Sequence, residues 1–180
     1  MKKLVLSILF LSVLITSCSK DDSPTPEEPE VTISKYKDVE LKLDNVDSDT
    51  YGIAFSSKTG KTYKASEITT DNIKDIDIVS FNFTAFISFM SPHEAESTKD
   101  KDGVTTTKIQ HTNVTMTVEE FDALEDDTKL KVLTVTNDKE ALESTYRGVI
   151  LFENAAGKKG AIKVKALNSK RILFDVVVQK

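Results

Sequence analysis

The stretch RGVILFENAAGKKGAIKVKALNSKRILFDVVVQK, residues 147–180, decides the fold of this chain. It contains three runs rich in β-branched and aromatic residues, separated by polar segments at 154–158 and 168–170. The Asn, Gly and Ser residues in those segments are typical of turns. In the middle run, residues 160–167, apolar side chains alternate with lysines, which is the period of a strand with one buried face. The pattern predicts three consecutive antiparallel strands.

The segment 31–63 has the same strand signal earlier in the chain. Apolar and polar residues alternate over 39–43, and TYGIAFS at 50–56 is again rich in residues that favour strands. A short polar turn containing Gly60 follows, and glycine readily supplies the positive φ that a tight turn often requires. The chain then returns as a strand at 62–63, so the sequence predicts a β-hairpin here.

The segment 76–90, IDIVSFNFTAFISFM, is the most apolar part of the chain after residue 30. Its density of Phe predicts a buried strand in the core of the sheet. A groove of aromatic side chains that binds a ligand is the alternative interpretation.

Short helices are expected between the strands. Thr117 and Glu120 have the spacing of a capping box and predict a helix from residue 118. The sequence KLKVLTVT at 129–136 predicts a strand, and Asn137 or Asp138 is expected to cap another short helix after it.

A further short helix is expected after Ser66, which could cap it, although β-branched threonines follow. Together these patterns predict an α+β fold, mainly an antiparallel β-sheet with two or three short helices. A β-sandwich with helical inserts is the alternative. Residues 31–180 are expected to form a single β-rich globular domain, since their number suits one core.

The N-terminal sequence MKKLVLSILFLSVLITSCSKDD has the pattern of a secretory signal. A basic start precedes an apolar run at 4–16, and small residues precede Cys18. The run is too short for a membrane-spanning helix. We therefore expect a lipoprotein signal peptide over residues 1–17, with acyl chains such as palmitate on Cys18. An uncleaved anchor and an ordinary signal peptide are the alternatives.

The residues after the expected cleavage site carry a resemblance to a known class of protein. Cys18, Ser19, Lys20, Asp21 and Asp22 resemble the lipidated cysteine and acidic export signal of surface lipoproteins from Bacteroidota. This resemblance implies an outer-membrane protein, lipid-anchored and exposed at the cell surface. An anchor that faces the periplasm is the alternative location.

Three segments of the domain extend this resemblance. FSSKTGKTY at 55–63, GKKGAIKV at 157–164 and FDV at 174–176 are similar to segments of uncharacterised, Flavobacteria-like lipoproteins. The resemblance implies neither an activity nor a set of catalytic residues.

Residues 18–30 form the expected link between the lipid and the domain. They contain three prolines, five acidic residues and no large apolar residue. Such a composition does not bury enough surface to offset the entropy of ordering, so the sequence predicts a disordered tether.

The charge and the cysteine content of the chain argue against some classes of function. Loss of Lys2 and Lys3 with the signal leaves 22 basic against 29 acidic residues. A nucleic-acid partner is not expected, because nucleic-acid affinity comes largely from neutralising phosphates. Cys18 is the only cysteine, so the domain has neither a disulfide nor a cysteine nucleophile.

The sequence contains no recognisable catalytic or metal-binding motif, and we predict no catalytic residue, no metal site and no cofactor. His93 lies in HEAES, which lacks the second histidine of a zinc-protease helix, and His111 lies in a Thr-rich stretch. We expect a non-enzymatic binding or accessory module whose partner is a glycan or a surface protein, besides the membrane. The alternative is an extracytoplasmic hydrolase with an unrecognised site. An exposed row drawn from Tyr36, Tyr51, Tyr63 and Tyr146 would favour sugar binding.

Overall fold

A computed structural model describes residues 30–44, 46 and 50–180. The predicted signal at 1–17, the lipidation site Cys18, the export signal at 19–22 and the tether up to residue 29 lie outside the described residues. Residues 31–180 form one compact unit. Among the described residues, no helix combines the length and the apolar composition that a membrane span requires.

The described residues contain many short strands and two α-helices. The strands are β1 (Ile33–Lys42), β2 (Ala54–Phe55), β3 (Thr62–Tyr63), β4 (Ile78–Ser80), β5 (Phe86–Ile87), β6 (Phe89–Met90), β7 (Lys108–Gln110), β8 (Leu142–Glu143), β9 (Val149–Glu153), β10 (Lys159–Leu167) and β11 (Arg171–Gln179). The helices are α1 (Val118–Asp122) and α2 (Thr128–Val132), and 3₁₀ turns lie at Ala65–Glu67 and Ile73–Asp75.

The largest sheet is antiparallel and has the strand order β1-β11-β10-β9-β7. The strands β9, β10 and β11 are the three consecutive strands predicted from residues 147–180, which confirms that prediction. Gly160 lies where β10 crosses the ring of Phe152, and a Cβ at this position would come within 2.3 Å of that ring. A glycine at 160 therefore allows β9 and β10 to pair over a buried aromatic ring.

The large sheet is buried on both faces. On one face Phe152 and Phe174 pack with Phe55 and Phe89 from a smaller sheet of order β3-β2-β4-β6. On the other face, alternate residues of the same strands pack against the two helices; this second core includes Leu151, Val177, Phe121 and Leu130. The fold is thus the predicted α+β class, mainly antiparallel β with two short α-helices.

The segment 129–136 was expected to be a strand, and this prediction is wrong. Residues 128–132 form α2, with Leu130 buried in the second core and Val132 81% exposed. The side chain of Asp126 accepts a hydrogen bond from the N–H of Thr128, the first residue of the helix, whereas the N-cap residue Asp127 makes no side-chain cap. Five residues of alternating polarity fit a strand and one helical turn almost equally well, and the burial of Leu130 in the second core favours the helical turn.

The expected helix cap at Asn137 or Asp138 is also wrong. The side-chain Oδ1 of Asn137 accepts the N–H of Ile109, and the Asp138 carboxylate accepts the N–H of His111. These side chains accept hydrogen bonds from backbone N–H groups along the free edge of β7. They do not bond to the end of a helix. Short polar side chains bond to whichever backbone donors tertiary contacts bring near them.

The helix expected after Ser66 is replaced by two 3₁₀ turns. Lys64, not Ser66, precedes the first turn, and the β-branched Thr69 and Thr70 separate it from the second. β-Branched side chains lose rotamer freedom in a helix, which opposes a continuous one here. The neighbouring hairpin of β2 and β3 was predicted correctly, with Gly60 at a φ of 71° in its turn.

Candidate binding surface

The segment expected to be a single buried strand folds into a hairpin that projects three phenylalanines to the surface. After β4 the backbone of Phe81 pairs with Ser88, since its N–H donates to the Ser88 carbonyl at 3.1 Å. Phe83 and Phe86 exchange backbone hydrogen bonds of 3.0 and 3.3 Å. Thr84 and Ala85 form the exposed tip, so residues 81–88 are a tight two-residue hairpin.

The three aromatic rings of this hairpin touch one another, and we call Phe81, Phe83 and Phe86 the Phe cluster. The ring centroids lie 5.5 Å apart for Phe81 and Phe83, 6.0 Å for Phe81 and Phe86, and 4.9 Å for Phe83 and Phe86. Phe81 is 38% exposed and the other two are half-buried. The expectation that this segment is entirely buried core is therefore wrong for the Phe cluster, although Phe89 is buried.

The three rings lie together at the surface because side chains alternate between the two faces of the hairpin. Phe81 and Phe83 are two residues apart and Phe86 lies opposite Phe83, so all three share one face. Asn82 and Ile87 point to the other face and are fully buried. Asn82 donates to Ser80 Oγ at 2.8 Å and accepts the N–H of Ser88 at 3.0 Å. This buried amide fixes the hairpin and thereby holds the aromatic face outward.

A hollow of about 270 Å³ lies beside the Phe cluster. Its apolar wall includes Phe81, Phe86 and Met90, and its polar rim includes Glu94 and Lys139. The ammonium of Lys139 and the carboxylate of Glu94 are 3.1 Å apart. A second hollow of about 490 Å³ is also lined by Phe81, Met90 and Glu94, so these three residues border both hollows.

An exposed aromatic face bordered by a few polar groups can bind a ligand that is itself apolar on one face and polar at its edge. The rings supply contact area without a large loss of side-chain freedom. The charged pair supplies hydrogen-bond donors and acceptors that orient the ligand.

The four tyrosines considered as a possible sugar-binding row do not form one. Tyr36 donates its hydroxyl to the Ser57 carbonyl at 2.9 Å, and Tyr146 donates to the Val149 carbonyl at 2.8 Å. The remaining two also have packing roles. The ring of Tyr51 lies 5.2 Å from the guanidinium of Arg171. Tyr63 packs against an apolar cluster that includes Ala54 and Val79 of the smaller sheet. All four are half-buried.

His111 is held by hydrogen bonds at both ring nitrogens. Its Nδ1 lies 2.8 Å from the Asp138 carboxylate, and its Nε2 accepts the backbone N–H of Phe89 at 3.0 Å. Because Nε2 accepts, the ring is neutral and Nδ1–H donates to Asp138. Burial lowers the pKa of His111, while Asp138 acts in the opposite direction. Since Nε2 is occupied by the fold, this imidazole cannot take a proton from a substrate without breaking that contact.

His93 contacts a serine but does not form an open nucleophilic site. Its Nδ1 is 2.9 Å from Ser91 Oγ, and its Nε2 is 4.0 Å from a Glu94 carboxylate oxygen. Ser91 is only 2% exposed, and its Oγ accepts the N–H of Thr107 at 2.9 Å. The hydroxyl therefore joins two separate segments of the chain and is shielded from a substrate.

The sequence contained one signal for the Phe cluster that was missed. Thr84 and Ala85 stand between Phe83 and Phe86, and two residues between strand-forming residues are the spacing of a tight hairpin. Neither residue belongs to the Asn-Gly type that usually marks such turns, which is why the segment resembles a continuous strand.

Among residues 30–44, 46 and 50–180, no group of three or more His, Cys, Asp or Glu side chains could hold a metal ion. Comparison of the chain with protein-family models, with curated proteins and with solved structures finds no match.

Proposed function

We propose that this chain is a lipid-anchored surface protein of the Bacteroidota type whose folded domain is a non-enzymatic module that binds glycans at the Phe cluster. The proposed glycan binding rests on the exposed face formed by Phe81, Phe83 and Phe86, which lies beside a hollow with a charged rim. The N-terminal sequence supports the proposed location at the cell surface.

The lipid on Cys18 is the proposed anchor. Each buried CH₂ of an acyl chain contributes about 0.8 kcal/mol, so two or more chains on one cysteine give stable attachment where one chain does not. The acidic residues Asp21 and Asp22 support export to the outer surface by resemblance to surface lipoproteins. A tether over residues 18–30 would reach at most about 45 Å when fully extended.

A glycan is favoured over a membrane surface as the ligand of the Phe cluster. Sugar rings have an apolar face of C–H groups that stacks on aromatic rings, and hydroxyls at the edge that need donors and acceptors. The rim supplies both in Lys139 and Glu94. An anionic membrane would favour an excess of Lys and Arg beside the aromatic face, but the rim also contains the acidic residues Glu94 and Asp138.

The contacts of the histidines support a binding role more than a hydrolase. Both ring nitrogens of His111 are occupied, and the Ser91 hydroxyl beside His93 is buried and already bonded to the backbone. No specific observation on either histidine favours catalysis, so we propose no second function.

A glycan array tests the binding proposal. The full chain in nonionic detergent is applied beside the double variant Phe81→Ser, Phe86→Ser. We expect wild type to bind a subset of glycans and the variant to lose at least about tenfold in signal, because two of the three stacking rings are gone. Val132→Ser is the matched control, since it removes an exposed apolar side chain from α2, and it should bind like wild type. Equal signals from wild type and the double variant would remove the Phe cluster as the site.

A further inference from the structure

A separate cleft of about 490 Å³ lies between three turns and the end of the large sheet. It is lined by the turn after β2, by the second 3₁₀ turn, by the turn between β9 and β10, and by the end of β11. Four lysines border it: Lys58, Lys74, Lys158 and Lys180. We call it the lysine cleft.

The floor of the lysine cleft is a buried carboxylate. Asp77 is only 6% exposed, and its Oδ2 accepts the Ser57 N–H at 2.7 Å and the Ser57 hydroxyl at 2.6 Å. The amide of Asn154 donates to Ser57 Oγ at 3.3 Å, which connects the turn after β2 to the turn between β9 and β10. Burial raises the pKa of Asp77, and the hydrogen bonds from Ser57 oppose that rise. The floor is therefore a fixed polar network.

The charge of the lysine cleft opposes that of the whole chain. Its lining has four lysines against Asp75 and Asp77, whereas the whole chain has a net charge of −5. Lys58 pairs with Asp75 at 2.8 Å. Among the described residues, the ammonium groups of Lys74 and Lys180 make no ion pair, so positive charge at the cleft is left without a partner.

Several of the remaining lining residues are polar and suit a sugar. Ser34 offers a hydroxyl and Asp77 a carboxylate, whereas the amides of Asn154 and Gln179 are already hydrogen-bonded within the fold. The volume lies in the range of small-molecule sites and suits one or two sugar rings. An apolar peptide anchor would find few apolar side chains, because Ala155 and Ala156 are the only apolar residues among the described residues of the lining.

From this combination of cavity, unpaired lysines and polar floor, we propose that the lysine cleft binds the carboxylate or sulfate group of an acidic glycan. Ammonium groups bind such anions as charge-assisted donors. This site is distinct from the Phe cluster and adds a charge preference that the aromatic face does not have.

Calorimetric titration of the full chain in nonionic detergent tests the proposal. The probes are an oligogalacturonate, a chondroitin sulfate oligosaccharide and a neutral cello-oligosaccharide at the same low salt. We expect a carboxylated or a sulfated probe to bind and the neutral probe to fail at this site. Comparison of the two acidic probes distinguishes carboxylate from sulfate recognition. Binding should weaken as salt is raised, because the attraction is screened.

Matched variants locate the binding. Lys74→Gln with Lys180→Gln should reduce the affinity for the acidic probe at least about tenfold. Lys37→Gln with Lys170→Gln removes the same charge from exposed sites elsewhere, and it should bind like wild type. Failure of both acidic probes, equal losses in the two lysine variants, or unchanged affinity in the first would overturn the proposal. The double variant Phe81→Ser, Phe86→Ser should keep the acidic probe; loss there instead would move the site to the Phe cluster.

Discussion

His111 illustrates how the fold can hold an imidazole at both of its ring nitrogens. Its ring joins β6 to the segment around Asp138, because Nε2 accepts the Phe89 N–H and Nδ1–H donates to the carboxylate. Asp138 also accepts the backbone N–H groups of His111 and Thr112. Although burial acts in the opposite direction, these hydrogen bonds lower the pKa of Asp138. The pair closes a sheet edge that would otherwise be open.

The neutral state of His111 predicts sensitivity to acid. Its pKa in the folded protein is lowered from 6.5 by burial, so the folded state resists protonation. Stability from this residue is complete above the unfolded pKa of about 6.5 and is lost as pH falls below that value toward the lowered pKa. In His93→Gln, the single remaining imidazole NMR signal should therefore titrate below pH 6.5, and the free energy of unfolding should fall over the same range. Titration at or above 6.5 would contradict the neutral, buried assignment.

The two edges of the large sheet are protected in different ways. At β1, exposed Lys35 and Lys37 precede a bulge at Asp38, whose φ is 56° and whose N–H donates to Asp175 at 2.8 Å. Charged side chains and bulges discourage pairing with a second sheet. At β7, the side chains of Asn137 and Asp138 take the place of a neighbouring strand.

Helix α1 was predicted from its capping box, and that box gives a prediction of its own. Thr117 Oγ1 accepts the Glu120 N–H at 3.2 Å, and the Glu120 carboxylate accepts the Thr117 N–H at 3.0 Å. We expect Thr117→Ala to lower the free energy of unfolding by about 1 kcal/mol in urea denaturation. The exposed Thr115 is the matched control, and Thr115→Ala should change stability by much less. Equal effects of the two variants would show that the cap does not stabilise the domain.

The elements that the sequence predicts well are those fixed by local signals. The three C-terminal strands have alternation and polar turns, and α1 has its capping box. The segments at 76–90 and 129–136 were misassigned because their local patterns are ambiguous and long-range contacts decide between the options. Buried Asn82 bonds across the first segment as a hairpin, and Leu130 of the second segment packs in the core against the large sheet. The candidate site could not be predicted once segment 76–90 was assigned as one strand, since the Phe cluster exists only if the hairpin forms.

At the scale of the whole molecule, the two covered faces of the large sheet leave the Phe cluster outside the main cores. Phe55, Phe89 and Phe174 are fully or almost fully buried, whereas Phe81 is exposed. Removing the exposed ring should therefore cost less stability than removing a buried one, which typically costs about 3–5 kcal/mol. Because the Phe cluster lies outside the cores, variants of the hairpin can change ligand binding without unfolding the domain.

The proposed anchor gives a prediction for the intact protein in its native host. Cys18→Ala removes the thiol that would carry the lipid, so the protein should leave the membrane fraction or remain unprocessed. Fractionation with and without detergent, together with the mass of the N-terminal peptide, measures both outcomes. Cys18→Ala that stays membrane-bound at the mobility of the wild type would contradict lipidation.

The central claim, that the Phe cluster binds a glycan, is tested most directly by hydroxyl-radical footprinting with and without the arrayed glycan that binds most strongly. Trypsin should release residues 75–99 as one peptide, because no Lys or Arg lies between Lys74 and Lys99. We predict that the glycan lowers oxidation of Phe81, Phe83 and Phe86 and leaves unchanged the peptides that contribute neither to the Phe cluster nor to its hollow. Unchanged oxidation of the Phe cluster with the glycan bound, or an array on which the chain binds nothing, would contradict the claim.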